Sequence, residues 1–109
     1  MEKLVTFEEV RNNPEIRAYI LRADETLASL GYTEHAFAHV MRSAENASYI
    51  LRELGYPQRE QELAQIAGYM HDIGNVVNRV AHAQSGALMS FRILRNMGME
   101  PDEVAYIIS

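Results

Sequence analysis

Apolar residues recur at threes and fours along most of this chain, and no stretch alternates convincingly with period two. The longest run of this kind holds Phe37, Val40, Ala44, Ala47, Ile50, Leu51 and Leu54. It predicts an amphipathic helix of about 20 residues, from Thr33 to Leu54. Ahead of it, Ile16, Ile20, Leu27 and Leu30 form the stripe of another helix. Behind it, Leu63, Ile66, Ala67 and Met70 point inward from a helix over Glu60 to Met70. Leu88, Phe91, Leu94 and Met97 mark one face of a helix from about His82 to Met97, and Val104, Ile107 and Ile108 a packing face after Pro101.

Punctuation agrees with these spans. Thr6-Phe7-Glu8-Glu9 has the form of a capping box and opens a short helix that stops near Asn12-Asn13. Asn13 can cap the next helix, with Pro14 at its first position, where the missing N–H costs nothing. Thr33 can cap the long helix. Gly31, Gly55 and Gly98 stand where helices should stop. Residues 75–81 read as a loop or frayed turn. The predicted fold is all-α, a bundle of about five or six helices. It forms a single domain, with N-terminal helices over 1–32 and a second group over 33–109. The helix at Pro101 shows no stop signal before Ser109, so the expectation is a chain that continues beyond it.

Composition narrows the function. At 109 residues the length suits one core. The absence of cysteine removes disulfides, thiolate zinc sites, iron–sulfur clusters and cysteine nucleophiles. The 10 basic and 15 acidic residues leave a net charge of −5, which disfavours binding to a nucleic-acid duplex. No apolar run approaches a membrane span, and Met1-Glu2-Lys3-Leu4 does not open a signal peptide. The expected location is the cytoplasm. The six methionines read as core filler.

Four histidines carry the candidate chemistry: His35, His39, His71 and His82. Asp72 follows His71 directly. Imidazole with carboxylate suits iron, manganese, zinc or nickel. The two side chains lie about 100° apart around a helix, so a second helix must supply further donors. The long helix can, through His39 and its one-turn neighbour His35. The plain alternative is a helix end, where histidine favours the dipole and aspartate opens a turn.

Three ordered segments resemble the HD-domain superfamily of metal-dependent phosphohydrolases. His39-Val40-Met41-Arg42-Ser43-Ala44 resembles its first-helix motif, a histidine with arginine at +3 and a small residue at +5. Ile66-Ala67-Gly68-Tyr69-Met70-His71-Asp72-Ile73-Gly74 resembles the doublet that names the family and its apolar lead-in. His82-Ala83-Gln84-Ser85-Gly86-Ala87 is similar to the segment carried by two-metal branches, the HD-GYP phosphodiesterases and bacterial dinucleoside-tetraphosphate hydrolases.

The resemblance implies an all-α bundle around a divalent metal, with His39, His71 and Asp72 as ligands and His82 serving a second ion. The substrate implied is a nucleotide or related small phosphoester or phosphoanhydride, cleaved by metal-activated water. Asp72 could bridge two ions. Arg42 and Arg79 are candidate phosphate clamps. Asn75 stands where HD-GYP members carry a lysine, and can donate a hydrogen bond without charge. The family's closing aspartate has no counterpart here. Asp102 is the only late aspartate, and its place at a helix start reads as a cap. The expectation is therefore at most one tightly held metal and weak turnover, with a further aspartate supplied past Ser109. A non-catalytic HD domain that binds a nucleotide or a partner is the alternative. A homodimer stays open.

Overall fold

The computed structural model describes residues 4–23, 33–76 and 82–108. Six α-helices run through them: α1 (Phe7–Asn12), α2 (Pro14–Ala23), α3 (Thr33–Glu53), α4 (Gln58–Met70), α5 (His82–Asn96) and α6 (Pro101–Ile108). A 3-10 turn, Ile73–Val76, lies between α4 and α5. No strand occurs among the described residues. The all-α expectation holds. Leu27, Leu30, Gly31, Arg79 and the rest of the segment 77–81 lie outside the described residues, as do the side chains of Thr33, His35, Asn75 and His82.

The helix boundaries have local causes. The Thr6 hydroxyl accepts a hydrogen bond from the Glu9 amide at 3.2 Å, and Asn13 Oδ1 accepts from the Ile16 amide at 3.0 Å. Each satisfies an amide that the first helical turn leaves without a partner. Gly55 and Gly98 follow the ends of α3 and α5 with φ of 81° and 102°. Their own amides reach back to Arg52 and Arg95, and the next amides, of Tyr56 and Met99, reach Leu51 and Leu94. This double closure needs a residue with positive φ, which glycine adopts without a Cβ penalty. α4 starts at Gln58, two residues before the pattern placed it, because Pro57 already supplies the carbonyl for Gln61.

One core cluster joins the helices. It includes Val5, Val10, Ile16, Ile20, Val40, Ala44, Leu63, Ile66, Tyr69, Ile93, Leu94, Met99 and Val104. Met70 and Met99 are fully buried, and Met41, Met89 and Met97 pack at the edge, as core filler should. Phe7 meets the Tyr69 ring edge-on at 5.4 Å between centroids. Three inward faces differ from the pattern. On α6, Val104 is buried and Ile107 packs against the core, but Ile108 is exposed. Ile50 of α3 and Leu54, just past its end, are exposed. On α5, Leu88 is 73% exposed and Phe91 50%, while Gly86, Ser90, Ile93 and Leu94 turn inward. The buried side of α5 begins with small residues because its backbone runs close to the turn at Gly74.

Candidate metal centre

α3 brings one histidine and the end of α4 brings the His-Asp pair. His39 lies in the second turn of α3, and the His39 ring faces the His71 ring at 5.6 Å between centroids, tilted by 56°. His71 is the C-cap of α4, and Asp72 follows in the turn that leads to Ile73–Val76. Asp72 Oδ2 lies 2.9 Å from His71 Nε2 and 3.4 Å from His39 Nε2. One donor atom from each of the three residues falls within 4.8 Å of the others. The side chains of His39, His71 and Asp72 are 55%, 41% and 31% exposed, so the group opens to solvent.

The proton positions follow from the partners. A carbonyl only accepts, so His71 Nδ1 carries the hydrogen in its 2.7 Å bond to the Gly68 carbonyl. In a neutral ring the Nε2 lone pair is then left facing a carboxylate oxygen at 2.9 Å. Two such atoms at that distance are held together by a proton shared between them or by a metal ion. The donor set fits a metal. Bonds of about 2.1 Å place neighbouring donors about 3.0–3.4 Å apart in octahedral or tetrahedral geometry, and the oxygen–nitrogen separations of 2.9 and 3.4 Å lie close to that range. A ligating histidine held through its other nitrogen by a backbone carbonyl is the usual way such a ring is oriented.

The remaining candidates separate. Arg42 is exposed, three residues on from His39, and makes no hydrogen bond or ion pair with a described residue. Asp102 is exposed in the first turn of α6 and stands outside the three-residue group. The backbone places Asn75 in the 3-10 turn directly after the His-Asp pair and His82 at the start of α5. Arg79 lies outside the described residues. Sequence reasoning assigned Gly68 no role, although its carbonyl holds His71. The available signal was a glycine inside a helix, three residues before the histidine.

Residues 36–109 match the HD domain, and the chain belongs to that family. HD domains bind divalent metals and form a superfamily of metal-dependent phosphohydrolases. No curated protein and no solved structure matches the chain. Among the described residues, no helix is long and apolar enough to cross a membrane.

Proposed function

We propose that this chain is a metal-dependent phosphohydrolase in which His39, His71 and Asp72 hold a divalent transition ion, manganese, iron, zinc or nickel. The observation that carries the reading is the convergence of two imidazole nitrogens and a carboxylate oxygen from elements 33 residues apart in sequence, with His71 already tied through Nδ1. Exposure of the three side chains leaves room for water and for a substrate. The substrate class is a nucleotide or similar small phosphoester or phosphoanhydride, which would reach the three side chains from solvent.

A bound ion in such a site lowers the pKa of its water and offsets the charge of a phosphoryl group. The chain's residues do the rest. His39 presents a ring nitrogen from α3 and His71 one from the end of α4, and the Gly68 carbonyl keeps the His71 ring turned. Asp72 would add the negative charge that favours a divalent ion, as the carboxylate of the three-residue group. Arg42 and Arg79 are assigned to phosphoryl oxygens, where a guanidinium can bind two at once. Asn75 donates a hydrogen bond to the leaving group, and His82 serves a second ion. The net charge of −5 is then no obstacle to an anionic substrate, because the local positive charge comes with the ion.

The test is metal content per chain, by elemental analysis after purification without chelators, together with hydrolysis of bis(p-nitrophenyl) phosphate in manganese. Bound metal with turnover that Asp72→Ala abolishes supports the enzyme. Bound metal without turnover on any phosphoester selects the non-catalytic HD domain, which Asn75 in place of a cationic lysine favours. A chain that neither carries nor takes up metal refutes the enzyme and leaves the non-catalytic domain that binds a nucleotide or a partner.

A further inference from the structure

We propose that Gly68 is a positioning residue for the His39–His71–Asp72 group, and that Gly86 supports the same turn from its other side. The inference rests on the metal reading above.

Glycine is disfavoured inside a helix, yet Gly68 lies in the middle of the last turns of α4. The reason is contact. A Cβ on Gly68 would sit 2.7 Å from the Ser43 carbonyl oxygen, 2.9 Å from its carbon and 3.0 Å from Ala44 Cα. All three are backbone or Cα atoms of α3, so no side-chain rotation can relieve the clash. The two helix backbones touch here. Ser43 lies one turn after His39 on the same face of α3, and Gly68 lies three residues before His71. This backbone contact of α3 and α4 is therefore one turn away from both histidines, and it sets how far apart they stand. The same residue acts a second time, because its carbonyl receives the His71 Nδ1 hydrogen. Pushing α4 outward would move that carbonyl, rotate His71 and widen the 3.4 Å gap between His39 and Asp72.

Gly86 works on the far side of the turn. A Cβ there would lie 3.3 Å from the Gly74 amide nitrogen and 3.7 Å from the His71 carbonyl oxygen. The Gly68 contact thus sets α4 against α3, and the Gly86 contact sets the turn 71–74 against α5; an added Cβ at Gly86 would need its neighbours to give by only a few tenths of an ångström, which ranks Gly86 second.

The experiment binds Co²⁺ to the full chain, reading affinity by equilibrium dialysis and coordination by visible absorption. Leu63→Ala serves as a control that loosens the core of the same helix. Changes in groups that orient a ligand typically weaken metal binding by about 10–100-fold. Gly68→Ala is expected to keep its helical circular dichroism, bind Co²⁺ at least tenfold more weakly and shift the visible bands. Gly86→Ala should do the same to a smaller degree, and Leu63→Ala should leave both unchanged. Wild-type affinity and spectrum in Gly68→Ala would overturn the proposal. If Gly68→Ala does not fold, an unchanged Gly86→Ala would overturn it. The metal-free chain gives a separate reading through the ring-proton NMR shifts of His39 and His71. These should move in both glycine variants and not in Leu63→Ala. A wild type that ignores Co²⁺ refutes the metal reading, whereas unmoved ring protons refute the positioning role.

Discussion

At the scale of single residues, the site depends on which atoms are left over after local bonding. His71 spends Nδ1 on Gly68, so Nε2 is its one nitrogen for a ligand. His39 and Asp72 supply the other two donors. Asp72 is the sole carboxylate of the group, and its removal takes away both a donor and the charge. Asp72→Ala is expected to weaken metal binding by more than the roughly 10–100-fold typical of outer-shell changes, with helical content retained. Metal titration followed by circular dichroism checks this, and an unchanged stoichiometry would refute the ligand role. His39→Ala should lose metal, while His35→Ala should mostly retain it, because only His39 has Arg42 at +3 and Ala44 at +5. Retention by His39→Ala together with loss by His35→Ala would place the motif one turn away on α3. The convergence of His39, His71 and Asp72 was legible in the sequence because the motif fixes their order and register. The role of Gly68 was not, since it requires knowing that the α3 backbone passes within contact distance.

At the scale of elements, capping residues made the helices legible. Thr6, Asn13, Gly55 and Gly98 each act where the sequence placed them. The inner face of α5 was misread for a physical reason. Hydrophobic periodicity weighs large residues, but a helix that packs backbone to backbone buries small ones, so Gly86 and Ser90 face in and Leu88 faces out. The anchoring of the N-terminal segment was also hidden. Arg59 of α4 donates from Nε and Nη2 to the two Glu103 oxygens of α6, at 2.8 and 2.7 Å. Its Nη1 donates to Glu62 and to the Val5 carbonyl, and Glu62 accepts the Phe7 amide. No sequence pattern joins positions 5, 59, 62 and 103. Because Arg59 is part-buried and serves three partners, Arg59→Ala should cost about 2 kcal/mol in urea unfolding. The Arg59 hydrogen bonds hold the Glu103 carboxyl below its ordinary value of about 4.5, against the opposing effect of burial. A lowered folded value means that this stabilisation is complete above the ordinary carboxyl range and is lost as the pH falls through the folded value. Glu103→Gln should therefore flatten the decline in stability below about pH 4.5. Equal slopes for the variant and the wild type would show that the pair is energetically idle.

At the scale of the whole molecule, the candidate ligands join two elements that the chain must fold to bring together. His39 belongs to α3, whereas His71 and Asp72 leave the end of α4, so the unfolded chain offers no preformed site. A ligand that binds only the folded state stabilises it by mass action, by about 2.7 kcal/mol when its free concentration is 100 times Kd. For a domain of about 100 residues each kcal/mol moves the melting temperature by roughly 4–8 °C, so saturating metal should raise it by roughly 10–20 °C. Differential scanning calorimetry of the chelator-treated chain, with manganese or zinc added stepwise, measures the rise. It should grow with the logarithm of metal concentration in the wild type. It should vanish in His39→Ala, which leaves the buried core untouched because His39 is a solvent-exposed residue. In Arg59→Ala the metal-free melting temperature should fall while the metal-induced rise persists, since that network lies apart from the three donors. A rise of equal size in His39→Ala would mean that the metal stabilises the fold from some other place. The two helices would then meet for packing alone.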